Sequence, residues 1–208
     1  MNNIIIMLFL SYLNYTTSYS TYSMSCVIII KKTVLYDAKM PILYMPNYNK
    51  NAIYSDNYNL FTPEHIFPQS LLNTNGKNDM HNIIKTIASL NTNRSNYKYC
   101  EDLNINDENW NKLNYNNYVN HKDKLFIPNK DSRGIIARAI LYMCREHKCN
   151  YKKVIDKELL IKWFYNYSPS IDEKYHNDMV KQIQQTNNIF ISKYNKKNNG
   201  LYRFINTL

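Results

Sequence analysis

One place in the chain sets a group that can hold a cation beside a group that can move a proton: Glu64 and His65, within Thr62-Pro63-Glu64-His65-Ile66-Phe67-Pro68-Gln69-Ser70. A carboxylate is a hard ligand for a divalent cation. An imidazole titrates near neutral pH and can take a proton from water. The two prolines forbid a helix through the pair. In extended backbone, neighbours point to opposite sides, so both side chains serve one site only if the strand edge twists or one reaches around through a metal. Alone the dipeptide says little, because Glu-His neighbours are common on solvated surfaces. Its weight comes from the text that follows: Asp79-Met80-His81-Asn82, then Asn91-Thr92-Asn93-Arg94-Ser95-Asn96-Tyr97, then the run from Arg133-Gly134 to Tyr142-Met143.

The elements that must position these residues are unevenly written. From Cys26 to about Phe61 the chain is broken by Pro41 and Pro46 and carries short apolar runs, Val27 to Ile30 and Ile42 to Met45, of strand length. The C-terminal half is clearer. Ile135, Ile136, Ala139, Ile140 and Met143 recur at helical spacing, and Leu159, Leu160, Trp163, Phe164 and Tyr167 do so again before Pro169. A third helix is expected from Ser170, which with Glu173 matches a capping box, carrying Tyr175, Met179 and Ile183 on one side. The expected class is α+β, a single mainly helical domain. Asn3 to Leu13 is nearly all apolar and too short to span a bilayer. Small-x-small triplets follow at Ser18-Tyr19-Ser20 and Ser23-Met24-Ser25, as at signal-peptide cleavage sites, although no Lys or Arg precedes the apolar run. Residues 1–25 therefore read as a signal peptide, or otherwise as an apolar first element of the fold. The chain is secreted or periplasmic in the first case and intracellular in the second, with no stable membrane insertion in either.

A chain of 208 residues with 44% hydrophobic content can bury one good core. The 26 Lys plus Arg outweigh 16 Asp plus Glu, for a net charge of +10. That excess favours an acidic polymer as partner. Part of it reflects a composition rich in Asn, Tyr, Lys and Ile, all encoded by AT-rich codons. No block of like charges marks a basic tail, so the positive surface must be assembled by folding, which suits a groove. Gly76, Gly134 and Gly200 lie too far apart for a phosphate-cradling loop, which disfavours nucleotide-fuelled chemistry. Cys26, Cys100, Cys144 and Cys149 have no zinc-finger spacing, and Cys144 and Cys149 would face different sides of one helix.

Taken in order, the blocks resemble the endonuclease I family, secreted or periplasmic non-specific nucleases with a ββα-metal (His-Me finger) core. The family's pattern runs EH-x-x-P, D-[LM]-H-N, N-x-x-R-S-N-[FY] and RG-x-x-AR-x-x-x-YM, and the similarity spans about Thr62 to Phe190. A fifth block is partial: His176-Asn177 and Asn188-Ile189-Phe190 lack the family's arginine and proline, and Lys85 stands where many members have a helix-starting proline. The resemblance implies a nuclease domain over 26–208. It implies that Glu64 and Asn91 bind one divalent metal, magnesium or another such cation, and that His65 is the general base. It implies hydrolysis of phosphodiester bonds in DNA, and in RNA, with 5′-phosphate products and little sequence preference, by a monomer.

The remaining residues of the blocks admit two roles each. Arg94 either clamps the phosphate at the transition state, as a catalytic group, or holds the fold through a buried ion pair. Asp79 and His81 either orient the ligands and the base or are buried hydrogen-bonding structure. Lys77 either touches backbone phosphate or faces solvent. Asn93 and Asn96 read as structural, and Arg138 as a paired structural arginine. The aromatic stretch Trp110 to Tyr118 reads as core or loop packing in preference to a stacking surface. Against the enzyme stands a catalytically inactive nucleic-acid-binding protein that keeps the nuclease fold.

Overall fold

The computed structural model describes residues 41–45, 61–101, 107–195 and 199–208. The chain divides into two units, Met1–Thr33 and Val34–Leu208, and everything described here lies in the second. The expected signal segment, residues 1–25, lies outside the described residues.

Strand β1 (Phe61–His65) contains the Glu-His pair and ends on it. A 3₁₀ turn at Gln69–Leu71, the short helix α1 (Thr74–Lys77) and a second 3₁₀ turn at Met80–Asn82 bring the chain back as strand β2 (Ile83–Ile87). The two strands are antiparallel, with Glu64 opposite Ile84 and His65 opposite Ile83. Asn73 starts α1 by accepting the Gly76 N–H, and Asp79 starts the second turn by accepting that of His81. In the two-stranded sheet β1 is an edge, so the missing N–H of Pro63 breaks no ladder. On the other side of β2, Ile42 pairs with Lys85 as an isolated parallel bridge. The expected strand from Ile42 to Met45 is thus one bridge followed by a turn, because Tyr44 adopts φ 65°. Strand β2 runs directly into helix α2 (Ala88–Arg94), which packs on both strands.

A second sheet follows, made of β3 (Lys98–Tyr99), β4 (Asn111–Leu113), β5 (Asn117–Asn120) and β6 (Leu125–Ile127) in the order β3-β6-β5-β4. Strand β3 lies parallel to β6 and the other pairs are antiparallel. Of the core or loop packing expected for the aromatics from Trp110 to Tyr118, the structure has the second. Tyr115 is exposed at a turn with φ 60°, and Trp110 and Tyr118 are half-buried. The inward positions of β5 go to Asn117 and Val119, since Asn117 is needed for hydrogen bonds across the fold.

Helix α3 (Lys130–Glu146) is the centre of the described unit. The expected apolar stripe understates it: from Ser132 to Cys144 every residue but Ile135 is buried, so the helix is enclosed on all sides. Helix α4 (Lys157–Asn166) packs on it through Leu160, Trp163 and Phe164. At Gly134 an added Cβ would lie 2.6 Å from Tyr167 Cβ and 2.7 Å from Tyr167 O, so only glycine permits this approach. Helix α5 (Ile171–Gln184) starts as expected at Ser170, whose hydroxyl accepts the Glu173 N–H. The capping box is only half made, because the Glu173 carboxylate is turned into a buried pair with Arg138 through two 2.6 Å bonds. The buried face of α5 is accordingly Glu173, His176, Asn177, Met179 and Val180, with Tyr175 and Ile183 half-buried. Helices α6 (Ile189–Ser192) and α7 (Asn199–Thr207) close the order of elements. Cys149 lies beyond the end of α3, its N–H returning to Met143 O at 3.3 Å, and is not on the helix as the spacing suggested. Cys100, Cys144 and Cys149 are free thiols. Mixed helix and sheet place the fold in the α+β class. No helix among the described residues is long and apolar enough to cross a membrane.

Candidate active site

The end of β1, the turn after it and α2 enclose a cavity of about 380 Å³ lined by Pro63, Glu64, His65, Gln69, Asn91, Arg94 and Asn96, among others. Glu64 and His65, though consecutive, both line it. The backbone just beyond the pair is held by two side chains. The Asn82 amide, fully buried, accepts the Phe67 N–H at 2.7 Å and donates to the Phe67 carbonyl at 3.0 Å. Arg94 meanwhile donates to the carbonyls of His65 at 3.1 Å and Ile66 at 2.6 Å.

Glu64 is 2% exposed. Its Oε1 accepts from the Tyr44 hydroxyl at 3.1 Å and lies 3.3 Å from Arg94 Nη1. Oε2 has no partner among the described residues and is left to the cavity. Burial pushes this carboxyl up to about 7, against the pull of the Arg94 charge and the Tyr44 hydrogen bond. Asn91 sits half-buried on α2, and its Nδ2 donates to Thr62 Oγ1 at 3.0 Å and to the Pro63 carbonyl at 3.1 Å. Both amide hydrogens are used, which fixes the amide and leaves Oδ1 as an acceptor with no partner among the described residues. Two open hard oxygens, one from a buried carboxylate, fit a small divalent cation that keeps several of its waters. They fit neither a thiolate-type nor a three-carboxylate site, and no cluster of three His, Cys, Asp or Glu occurs among the described residues.

His65 is half-buried, and its Nε2 lies 2.9 Å from the Lys77 carbonyl. A carbonyl only accepts, so Nε2 carries the proton and Nδ1 the lone pair. The Gln69 amide nitrogen is 3.1 Å from Nδ1 and 3.0 Å from Nε2, and only the first of these contacts can be a hydrogen bond. Burial lowers the imidazole below its ordinary value, the Arg94 charge acting in the same direction and the Lys77 carbonyl against both. The ring is therefore held neutral near pH 7, with one fixed basic nitrogen.

The other expected residues fall into place around this pair. Arg94 is 1% exposed, its guanidinium engaged by Glu64 and three backbone carbonyls and stacked 4.6 Å from the Tyr99 ring centroid. Of its two expected roles, this geometry is that of the buried ion pair, although it borders the cavity. Lys77 is exposed, and what it brings to the site is its carbonyl. Asp79 accepts from the His81 N–H, Gln184, Tyr142 and His147 at 2.8 to 3.1 Å. Burial opposes the charge on Asp79, but the bonds from His147, the His81 N–H and Gln184 outweigh it, so the carboxyl lies below its ordinary value. His81 is buried against Tyr142, ring centroids 4.5 Å apart. Neither Asp79 nor His81 bonds to Glu64, His65 or Asn91. Of their two expected roles, these contacts are those of buried hydrogen-bonding structure.

Asn93 is structural as expected, donating to Ser89 O at 2.8 Å, whereas Asn96 lines the cavity. Sequence reasoning missed Tyr44, Gln69 and Asn82. Asn82 and Gln69 lie within the quoted blocks, so their positions were readable though their contacts were not. Tyr44 lies 20 residues upstream of Glu64, in an apolar run with no motif to mark it.

The endonuclease I family model matches residues 3–195. That span is most of the chain, and the chain belongs to the endonuclease I family.

Proposed function

From membership in the endonuclease I family, a nuclease family, we propose that the protein is a divalent-metal-dependent endonuclease. It hydrolyses phosphodiester bonds of DNA, and of RNA, with little sequence preference. The observation that carries this reading is one cavity bordered by two open hard oxygens, Glu64 Oε2 and Asn91 Oδ1, and by a neutral imidazole. Strands β1 and β2 followed by α2 supply the ββα order expected of a His-Me finger core, with both oxygens and the base on it.

Glu64 and Asn91 hold the cation, magnesium by the hardness of the ligands. When bound, it supplies Lewis acidity at the scissile phosphate and at the departing 3′ oxygen. His65 Nδ1 takes a proton from the attacking water, which replaces the Gln69 amide as its hydrogen-bond partner, while Nε2 stays anchored on the Lys77 carbonyl, so the ring cannot turn its protonated edge to the water. Attack on phosphorus with loss of the 3′ oxygen leaves 5′-phosphate ends. Arg94 holds the backbone under His65 and balances Glu64 from behind. With a net charge of +10, binding rests on backbone phosphates and weakens with salt.

Plasmid cleavage with magnesium, with chelator and with His65→Ala tests the reading. Wild type cuts only with the metal and leaves ligatable 5′-phosphate ends, and the variant loses about 10²-fold or more in rate. Undiminished cutting by His65→Ala defeats the mechanism. Binding without turnover by the wild type would make the protein the inactive nucleic-acid binder instead.

A further inference from the structure

Nothing in the sequence around Tyr44 favours its conformation. Its backbone is left-handed at φ 65°. For a bulky residue that is strained, and it persists only where the surroundings impose it. Distant elements do so. Ser132 Oγ, in the first turn of α3, accepts the Tyr44 N–H at 2.7 Å. Asn117 of β5 donates to the Tyr44 carbonyl at 2.9 Å, and its own oxygen accepts the Asn129 N–H at 3.0 Å, tying β5 to the residue that caps α3. The ring is fully buried, 5.0 Å from the Phe126 ring centroid.

What this clamp delivers is one phenol oxygen, 3.1 Å from Glu64 Oε1 and 2.7 Å from the Tyr99 hydroxyl. A phenol has one proton. Since Tyr44 gives its proton to the carboxylate, it can only accept from Tyr99, whose single proton also faces the Ile66 carbonyl at 3.3 Å. The Tyr44 bond ends on the oxygen that Arg94 also faces.

We propose that Tyr44 is the positioning residue of the metal ligand. Its hydroxyl holds the Glu64 carboxylate in the rotation that keeps Oε1 for the protein and presents Oε2 to the cation. A guanidinium readily takes both oxygens of a carboxylate. Without the Tyr44 bond, Arg94 is free to draw Oε2 inward, out of the cavity. The inference rests on the reading of Glu64 as a cation ligand. It adds that the first turn of α3 and strand β5, neither of which borders the cavity, act on the metal site through Tyr44.

The test is manganese binding to the full chain at fixed pH, by the spin-resonance signal of free ion, beside the magnesium dependence of plasmid cleavage. Tyr44→Phe keeps the ring and loses the hydroxyl. It should raise the manganese Kd by about tenfold or more, in the range for partners that orient a ligand. It should also raise the magnesium needed for half-maximal cutting, with the rate recovering toward wild type at high magnesium. Unchanged Kd and magnesium dependence in Tyr44→Phe, while Glu64→Ala loses the metal, overturns the role of Tyr44 and leaves Glu64 as ligand. Wild-type manganese affinity in Glu64→Ala overturns the ligand reading itself, and this proposal with it. Should Tyr44→Phe not fold, Ser132→Ala removes only the acceptor of the Tyr44 N–H. It must shift the manganese Kd in the same direction, and an unchanged value overturns the proposal.

Discussion

Glu64 and His65 are neighbours that burial pushes in opposite directions. The carboxyl rises to about 7 and the imidazole falls below its ordinary value. Both shifts favour the neutral form, as low dielectric requires, yet the proposed chemistry needs a neutral base beside a charged ligand. A cation held by Glu64 would resolve this, because it would favour the carboxylate without needing the imidazole charged. The pH dependence follows. A carboxyl whose folded value lies above its unfolded one stabilises the metal-free protein below the unfolded value of 4.5, and that contribution is lost as pH rises through about 7. If Glu64 holds magnesium as proposed, the ion binds the ionised form, so the rise in Tm on adding it should be large at pH 8 and small at pH 5.5. The acid limb of cleavage should move to lower pH as magnesium is raised. Equal Tm gains at both pH values would remove Glu64 from the metal site.

At the scale of elements, the site is a strand end, a turn and a short helix, none of which would hold its shape alone. Strand β1 is an edge with a proline in it, and α2 has no side-chain cap at its start. The turn after His65 is held by the buried Asn82 amide, which satisfies both backbone groups of Phe67. Asn82→Ala leaves a buried donor and a buried acceptor unpaired, with a loss of about 2–3 kcal/mol expected. Cleavage should fall with it, because the backbone two residues after His65 is released. Urea unfolding beside a cleavage assay checks this, and a loss below about 1 kcal/mol would mean that Arg94 alone fixes the turn. The block containing Asn82 was legible in the sequence. That its amide faces the strand end and not the cavity was not, since the side chain could equally have served either.

At the scale of the molecule, α3 is the element on which the rest of the described unit is built, and its polar residues are as buried as its apolar ones. Arg133 pairs with Glu101, and Glu101 also accepts from Trp163 Nε1 at 2.9 Å. Arg138 pairs with Glu173, and its backbone carbonyl accepts from Asn188 at 3.3 Å. Gly134 lets the end of α4 approach this helix. In an exposed helix Gly→Ala stabilises by about 1 kcal/mol. Here the added methyl meets Tyr167 Cβ at 2.6 Å and its carbonyl at 2.7 Å, so backbone must move. Gly134→Ala is expected to lower stability by about 1–3 kcal/mol, read from the urea midpoint. A raised midpoint would show that α4 yields freely and that the close approach is incidental.

The sequence by itself determined the family, the α+β class, the helices from Lys130 to Gln184 and the blocks that hold Glu64, His65 and Asn91. Those depend on residue type, order and helical spacing, which are local properties of the text. Tertiary structure alone decided how the side chains in those blocks are arranged. It turned Arg94 inward onto Glu64, gave His65 its fixed proton through the carbonyl of Lys77, and brought Tyr44 to Glu64 across 20 residues. A backbone carbonyl has no signature in residue type, and a hydroxyl delivered by a strained turn has none in spacing. The physical reason is the same for each: these contacts join groups that are near only after the chain has packed.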